Sequence, residues 1–154
     1  MKLRFTLRAL AVFVLLFALG LGWWVNTVRS QRLAVAAIER LDGHVSNADT
    51  TQNLMNRPFY PSWLPDSLER VYPMDINYIY LTGEEITDEH LGYILAFPDL
   101  EGINLSATSI SDKSLQRLQH YGDLKVLQLY DVETVTPSGI ADFQRSLPDC
   151  EIWR

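Results

Sequence analysis

The stretch INYIYLTGEEITDEHLGYILAFPD, residues 76–99, decides the fold because the chain repeats it. The next stretch, LEGINLSATSISDKSLQRLQHYGD at residues 100–123, matches it in register over 24 residues. A third copy starts at Leu124, with one added residue before Val135 and another before Leu147, and a fourth starts at Cys150. A fixed period of this length is typical of repeat proteins, whose stacked units share one continuous core.

Each copy predicts a short strand followed by a helix. Apolar residues first alternate with other residues, as in a strand, and the later I-T-D-x-x-L-x-x-I changes their spacing to three and four, as in a helix. The equivalent hydroxyl residues before the helices, suited to N-caps, are Thr87, Ser111 and Thr136. The residues that follow them, all favourable in a first helical turn, are Asp88, Asp112 and Pro137.

These units predict an α/β fold, a short solenoid over residues 76–154 with about three units plus a terminal strand. Parallel strands would line its concave face and helices its convex face. The side chains expected to project from the concave face are Tyr78, Tyr80, Thr82, Gly102, Asn104, Ser106, Val126, Gln128 and Tyr130. Tyrosines among amides and hydroxyls predict a protein-binding surface, although tyrosine also simply favours strands. Ile152 and Arg154 are expected to complete this face or to cap the solenoid.

A second informative stretch is ALAVFVLLFALGLGWWV, residues 9–25, which has no charged, amide or hydroxyl side chain. As a helix its seventeen residues span about 26 Å, slightly less than a hydrocarbon core of about 30 Å, and residues 5–8 extend it. Trp23 and Trp24 occupy the place of an interfacial aromatic belt. We therefore predict a basic tail and single transmembrane helix over residues 1–28, with membrane lipid around residues 5–28. The alternative is a cleaved signal peptide, but no A-x-A site of small residues closes the apolar run.

The following residues connect this helix to the repeats. Residues 29–43 keep a helical spacing, with Leu33, Ala37 and Leu41 at steps of four and Ala34 and Ile38 beside them. They predict a juxtamembrane stalk helix that ends near residue 43 and docks on the body. Residues 44–75 are polar and rich in turn formers, and predict a loop-rich N-terminal cap region.

Charge divides the chain at about residue 42. Six Lys/Arg and two acidic residues give residues 1–42 a net charge of +4, and since the whole chain carries −6, residues 43–154 carry −10. An acidic body argues against nucleic-acid binding, which rests on clustered Lys and Arg. Because the tail before the apolar run is short, we expect a single-pass protein of the cell membrane with its body on the extracytoplasmic side.

The sequence offers no site for chemistry. Cys150 is the one cysteine, the three histidines have no partners at metal-ligand spacing, and no nucleophile-elbow, phosphate-loop or zinc-protease motif occurs. We predict no catalytic residue, metal, cofactor or small-molecule substrate, and thus no enzyme.

The repeat resembles the leucine-rich repeat, in the class whose second half reads I-T-D-x-x-L. The wider chain is similar to small membrane-anchored leucine-rich-repeat proteins of planctomycete bacteria. The similar segments are R-F-T-L-R at residues 4–8, the two tryptophans, A-V-A-A-I-E-R-L-D-G at residues 34–43 and L-P-D-C-E-I-W-R at residues 147–154. One position departs from the family pattern: where an Asn or Cys usually follows the strand, this chain has Glu84, Thr108 and Val132.

Together these patterns predict a noncatalytic, membrane-tethered module for protein–protein interaction, with an unknown protein or peptide as its partner. One alternative is a structural subunit or spacer of a membrane complex that acts through its anchor and stalk helix. Another is a hydrolase that uses His90 or His120.

Overall fold

A computed structural model describes residues 7–46 and 76–154 of the chain, which form an apolar N-terminal helix and a mixed sheet of five strands. The α-helices in these ranges are α1 (Leu7–Arg40), α2 (Asp112–Leu118) and α3 (Pro137–Ser146), and a 3₁₀ helix spans His90–Ala96. The strands are β1 (His44–Ser46), β2 (Tyr78–Tyr80), β3 (Gly102–Asn104), β4 (Val126–Gln128) and β5 (Glu151–Trp153). The basic tail before residue 7 and residues 47–75 of the predicted cap region lie outside the described residues.

The sheet follows chain order, and its spacing reflects the sequence repeat. Strands β2 to β5 are parallel, and Ile79 pairs with Ile103 and Ile103 with Leu127, each 24 residues further along. These three side chains are buried against the helices on one side of the sheet, in a single apolar cluster with Leu91, Leu115 and Phe143. Burying each such side chain contributes about 1.5–3 kcal/mol, so the continuous cluster holds the strand spacing fixed.

The turns after β2, β3 and β4 also repeat. Gly83, Ala107 and Asp131 all have a positive φ, although only the first is a glycine. The residues that follow them, at the position that departs from the family pattern, make unlike contacts. The Thr108 hydroxyl donates to the Leu105 carbonyl at 2.7 Å, Val132 is buried as an apolar side chain, and Glu84 is exposed.

A different side-chain ladder links the units, on the helical side of the sheet. The Asp88 carboxylate accepts the Ser111 N–H at 2.7 Å and the Ser111 hydroxyl at 2.6 Å. One unit later, the Asp112 carboxylate accepts the Thr136 N–H at 2.9 Å and the Thr136 hydroxyl at 2.6 Å. We call these two links the carboxylate ladder. The acids predicted only to favour their own helix dipole therefore also hold the next unit's N-cap residue.

The helix of the first unit differs from those of the next two. Ser111 accepts the Lys113 N–H and Thr136 accepts the Gly139 N–H, so both residues cap α-helices as predicted. Thr87 does not cap an α-helix: its N–H donates to Nδ1 of His90 at 3.1 Å, and the segment from His90 is a 3₁₀ helix without a side-chain cap. This 3₁₀ helix packs against α1.

Helix α1 runs without a break through the boundary expected at residue 28, and ends at Arg40, slightly before the expected residue 43. Its side chains are exposed from residue 9 to residue 26, and a buried seam then begins, formed by Val28, Gln31, Ala34 and Ile38. This seam packs against the 3₁₀ helix and β1. The expected stripe through Leu33 is shifted, since Leu33 is 63% exposed while the neighbouring Ala34 is buried.

Part of the region predicted to be loop is a strand. Directly after α1, β1 pairs antiparallel with β2, with Val45 opposite Ile79. The reversal passes through Asp42, whose φ is positive, and the Gly43 N–H donates to the Ile38 carbonyl at 3.0 Å. A Cβ on Gly43 would lie 2.8 Å from the Tyr80 carbonyl oxygen, so glycine permits this close approach of helix end and sheet. The short strand was missed because three residues give too little alternation to recognise.

Candidate binding face of the sheet

Side chains on the side of the sheet opposite the helices form two rows across the five strands. Residues next to each other in a strand point to opposite sides of the sheet. The residues immediately before and after the buried Ile79, Ile103 and Leu127 therefore face away from the core. The first row consists of Ser46, Tyr78, Gly102, Val126 and Glu151. The second row consists of His44, Tyr80, Asn104, Gln128 and Trp153. We call these two rows, together with Thr82, Ser106 and Tyr130 just beyond the strands, the exposed sheet face.

The structure places the residues predicted for the concave face on this side, with one correction at its end. Ile152 pairs with Leu127 and packs against the core, so Glu151 and Trp153 complete the face and not Ile152 and Arg154. The reason is that the fourth copy has one residue fewer between the buried residue before its strand and the centre of the strand. Buried Leu124 lies three positions before the central strand residue Leu127, but buried Cys150 lies only two positions before Ile152.

Two of the predicted tyrosines are held in place by neighbours. The Tyr78 ring lies against the backbone of Gly102, in space that a Cβ at that position would occupy. The Tyr80 ring is stacked on the His44 ring, with centroids 4.4 Å apart and an angle of 10° between the planes. Both tyrosines are partly buried, so they form the floor of the face rather than its most accessible points.

Two further aromatic side chains of the face, Tyr130 and Trp153, are each 43% exposed. The Trp153 Nε1–H donates to the Glu151 carboxylate at 3.3 Å, which orients the indole at the β5 edge. Between the aromatics of the second row lie two amides. The Asn104 carboxamide oxygen accepts the Ser106 N–H at 2.9 Å, so the N–H₂ group of Asn104 is not used in this hydrogen bond. Trp153 was not predicted for this face, because the one-residue shift at Cys150 assigned it to the core side of the sheet.

Charged side chains lie along both edges of the face. At the edge where the strands begin, Lys125 and Glu101 form an ion pair of 2.9 Å, and the hydrogen bond and charge of Glu101 raise the pKa of Lys125. At the edge where the strands end, the turns carry exposed acids and so make that rim acidic. These are Glu84, Glu85, Asp131 and Glu133.

The side chains that a hydrolase would need are engaged in local structure. Nδ1 of His90 accepts the Thr87 N–H, and Nδ1 of His120 lies 3.2 Å from the Arg117 carbonyl oxygen. Burial raises the pKa of the Cys150 thiol to about 11, so little reactive thiolate forms near neutral pH. Burial likewise raises the pKa of Tyr121 to about 12, and its hydroxyl donates to the Ile94 carbonyl. Within the described ranges, no three His, Cys, Asp or Glu side chains are grouped to hold a metal ion.

Comparison with known proteins identifies no relative. No protein-family model matches the chain, and no curated protein matches it significantly.

Proposed function

We propose that the chain is a noncatalytic, membrane-tethered recognition module, built as a short leucine-rich-repeat solenoid, whose exposed sheet face binds an extended segment of a protein. Three regular features support the solenoid: in-register parallel strands, positive-φ turns at equivalent positions, and the carboxylate ladder. Such a solenoid presents its sheet as the concave side, and similarity to the planctomycete proteins is part of this proposal.

The observation that carries the binding role is the second row of the face. It places His44 and Tyr80 at one end, Trp153 at the other, and two amides between them. Amides recognise the backbone of an extended chain, while aromatic side chains give rigid contact area with a polar tip. Neighbouring strands lie about 4.8 Å apart, so the row extends for about 19 Å, which accommodates about six extended residues.

Charge selects among such segments. Exposed acids lie along the edge where the strands end and also, as Asp99, Asp123 and Asp149, along the edge where they begin, and residues 43–154 carry a net charge of −10. A segment with Lys or Arg is therefore favoured, both in its encounter with the face and in its bound register. We expect its affinity to fall as salt is raised, because charges at an exposed rim are screened over about 10 Å at 0.1 M.

A membrane tether would compensate for the low affinity of a small binding face. A row of this size buries less than the roughly 800 Å² per partner of a standard stable interface, so a single contact is weak. Helix α1 contains a run long and apolar enough to cross a membrane, a property that a signal sequence shares. As an uncleaved anchor it would hold many copies on one surface and raise the effective concentration for a partner there. We place the body on the extracytoplasmic side, and protease accessibility in spheroplasts tests this orientation.

The spacer alternative has less surface to use. The seam of the stalk, including Ala34 and Ile38, is covered by the protein's own body. A partner helix could not reach those residues without displacing the 3₁₀ helix and β1.

Site-specific photocrosslinking in the native membrane tests the binding role. A benzophenone side chain at Tyr130 should crosslink a partner, and one at Gln116, an exposed position on α2, should not. In the protein that carries the benzophenone at position 130, Trp153→Ala should reduce the crosslinked product several-fold at unchanged protein level. Equal products from positions 130 and 116, or a product unaffected by Trp153→Ala, would exclude the exposed sheet face as the binding surface.

A further inference from the structure

The transition from anchor to body in α1 is abrupt. The exposed apolar run continues through Val25, and Val28 is already buried. Trp24 and Val28 are four residues apart, or about 6 Å along a helix, which is about the thickness of one headgroup layer. If Trp24 lies at the membrane interface, the lowest body contacts lie at headgroup depth.

Chain direction determines which part of the body is lowest. Helix α1 reverses at residues 42–43 into β1, and β1 is antiparallel to β2, so α1 and β2 run in the same direction. The 3₁₀ helix connects β2 to the parallel strand β3 and must return in the opposite direction. Since it packs against α1, its last residues lie beside the start of the α1 seam, at the membrane-proximal end.

We propose that the first unit rests on the bilayer surface, with Leu95 and Pro98 in contact with the headgroup and upper acyl region. Leu95 is 59% exposed although it is a large apolar side chain on the element that packs against α1, and Pro98 is exposed just beyond it. Arg29, also exposed, lies next to Val28 on α1 at a depth suited to lipid phosphate. The contact rests on the proposed membrane anchor and makes it a two-point attachment that fixes the orientation of the exposed sheet face.

Only the first unit makes this contact. The turns at the strand-start edge carry the exposed acids Asp99, Asp123 and Asp149. An anionic surface repels all three carboxylates, including Asp99 of the first unit, and the later turns differ in having no exposed apolar side chain comparable to Leu95. The contact is therefore apolar in origin and strongest on zwitterionic lipid.

Depth-dependent fluorescence quenching tests the contact with the full chain in phosphatidylcholine vesicles. An environment-sensitive label is attached to Leu95→Cys, to Thr82→Cys at the opposite edge of the same unit, and to Leu16→Cys inside the apolar run. The unmutated chain serves as the background for Cys150, which is buried. On the vesicles, the emission of the label at 95 should be blue-shifted by its apolar surroundings and quenched by spin-labelled headgroup lipid. The label at 82 should show neither effect, and acyl-chain quenchers should act on the label at 16.

The outcomes separate the contact from the anchor. If the label at 16 is quenched and those at 95 and 82 respond equally, the body stands clear of the membrane and the contact is wrong. An unquenched label at 16 overturns the anchor, and the surface contact with it. Replacing Leu95 by serine provides a second readout, since it should raise the accessibility of a label at Gly92, one turn away, to an aqueous quencher. No change there would also contradict the contact.

Discussion

Residues 76–99 and residues 100–123 have the same apolar pattern, yet the first unit has a 3₁₀ helix and the second an α-helix. The difference lies in their neighbours. In the second unit the cap residue Ser111 is held by the Asp88 carboxylate of the first unit, while the first unit packs against α1 and has no preceding carboxylate in the described residues. Equal local patterns therefore lead to unequal helices when tertiary contacts differ, because propensity is weaker than packing.

The largest effect is expected at the contact between α1 and the first unit. Ile38 is completely buried there, so Ile38→Ala should lower the free energy of unfolding by about 2–5 kcal/mol. Leu33→Ala is the matched control, because this exposed residue on the same helix should change stability by less than about 0.5 kcal/mol. Urea unfolding of the full chain in detergent, followed by circular dichroism, measures both. Equal losses would mean that the first unit does not depend on α1.

An intermediate effect is expected from breaking the carboxylate ladder. Asp88→Ala removes the acceptor for Ser111 and for the fully buried Ser114 hydroxyl, and should cost about 1–3 kcal/mol. Partial burial alone would raise the pKa of Asp88, but hydrogen bonds from Ser111 and Ser114 outweigh it and lower the pKa below its ordinary 3.8. The carboxylate is thus fully stabilising above that value, and its contribution is lost as the pH falls through the lowered pKa.

Urea unfolding at several pH values tests this linkage. The stability difference between Asp88→Ala and the unmutated chain should be constant near neutral pH and shrink in acid below pH 3.8. A difference that does not vary with pH would show that the ladder acts through packing and not through the ionised carboxylate.

The smallest effect is expected at the N-caps, and it compares the two units directly. Ser111→Ala removes a cap of α2 and a ladder partner, and should cost about 1 kcal/mol. Thr87→Ala changes the equivalent residue, which does not cap an α-helix, and should cost clearly less. Thermal unfolding midpoints rank the two variants. A larger loss for Thr87→Ala would contradict the distinction between the units.

The sequence predicted the structural features that depend on the repeat period. It did not predict those that depend on a single added or missing residue or on a neighbour distant in the chain. The 24-residue spacing predicted three parallel strands in register, and the hydroxyls at 111 and 136 predicted two helix starts. The 3₁₀ helix was not predictable, because the packing of α1 that distinguishes the first unit comes from residues far away in the chain.

For the candidate site, alternation along the strands identified the side of the sheet but not its details. The stacking of His44 on Tyr80 depends on a strand too short to predict. Trp153 was placed wrongly by the one-residue shift before Ile152, although the shorter spacing from Cys150 was the signal that could have revealed it. The function of the face stays a prediction that crosslinking must test.

The carboxylate ladder also gives the stack a polarity. Each acid belongs to one unit and serves the next, so the residue that caps a unit's helix is held by the preceding unit and not by the following one. At the third unit Pro137 replaces the acid and offers no acceptor to anything beyond. The dependence runs from the first unit toward the last, in the same order in which a ribosome releases the chain. Each acceptor is therefore synthesised before the segment whose helix it helps to start.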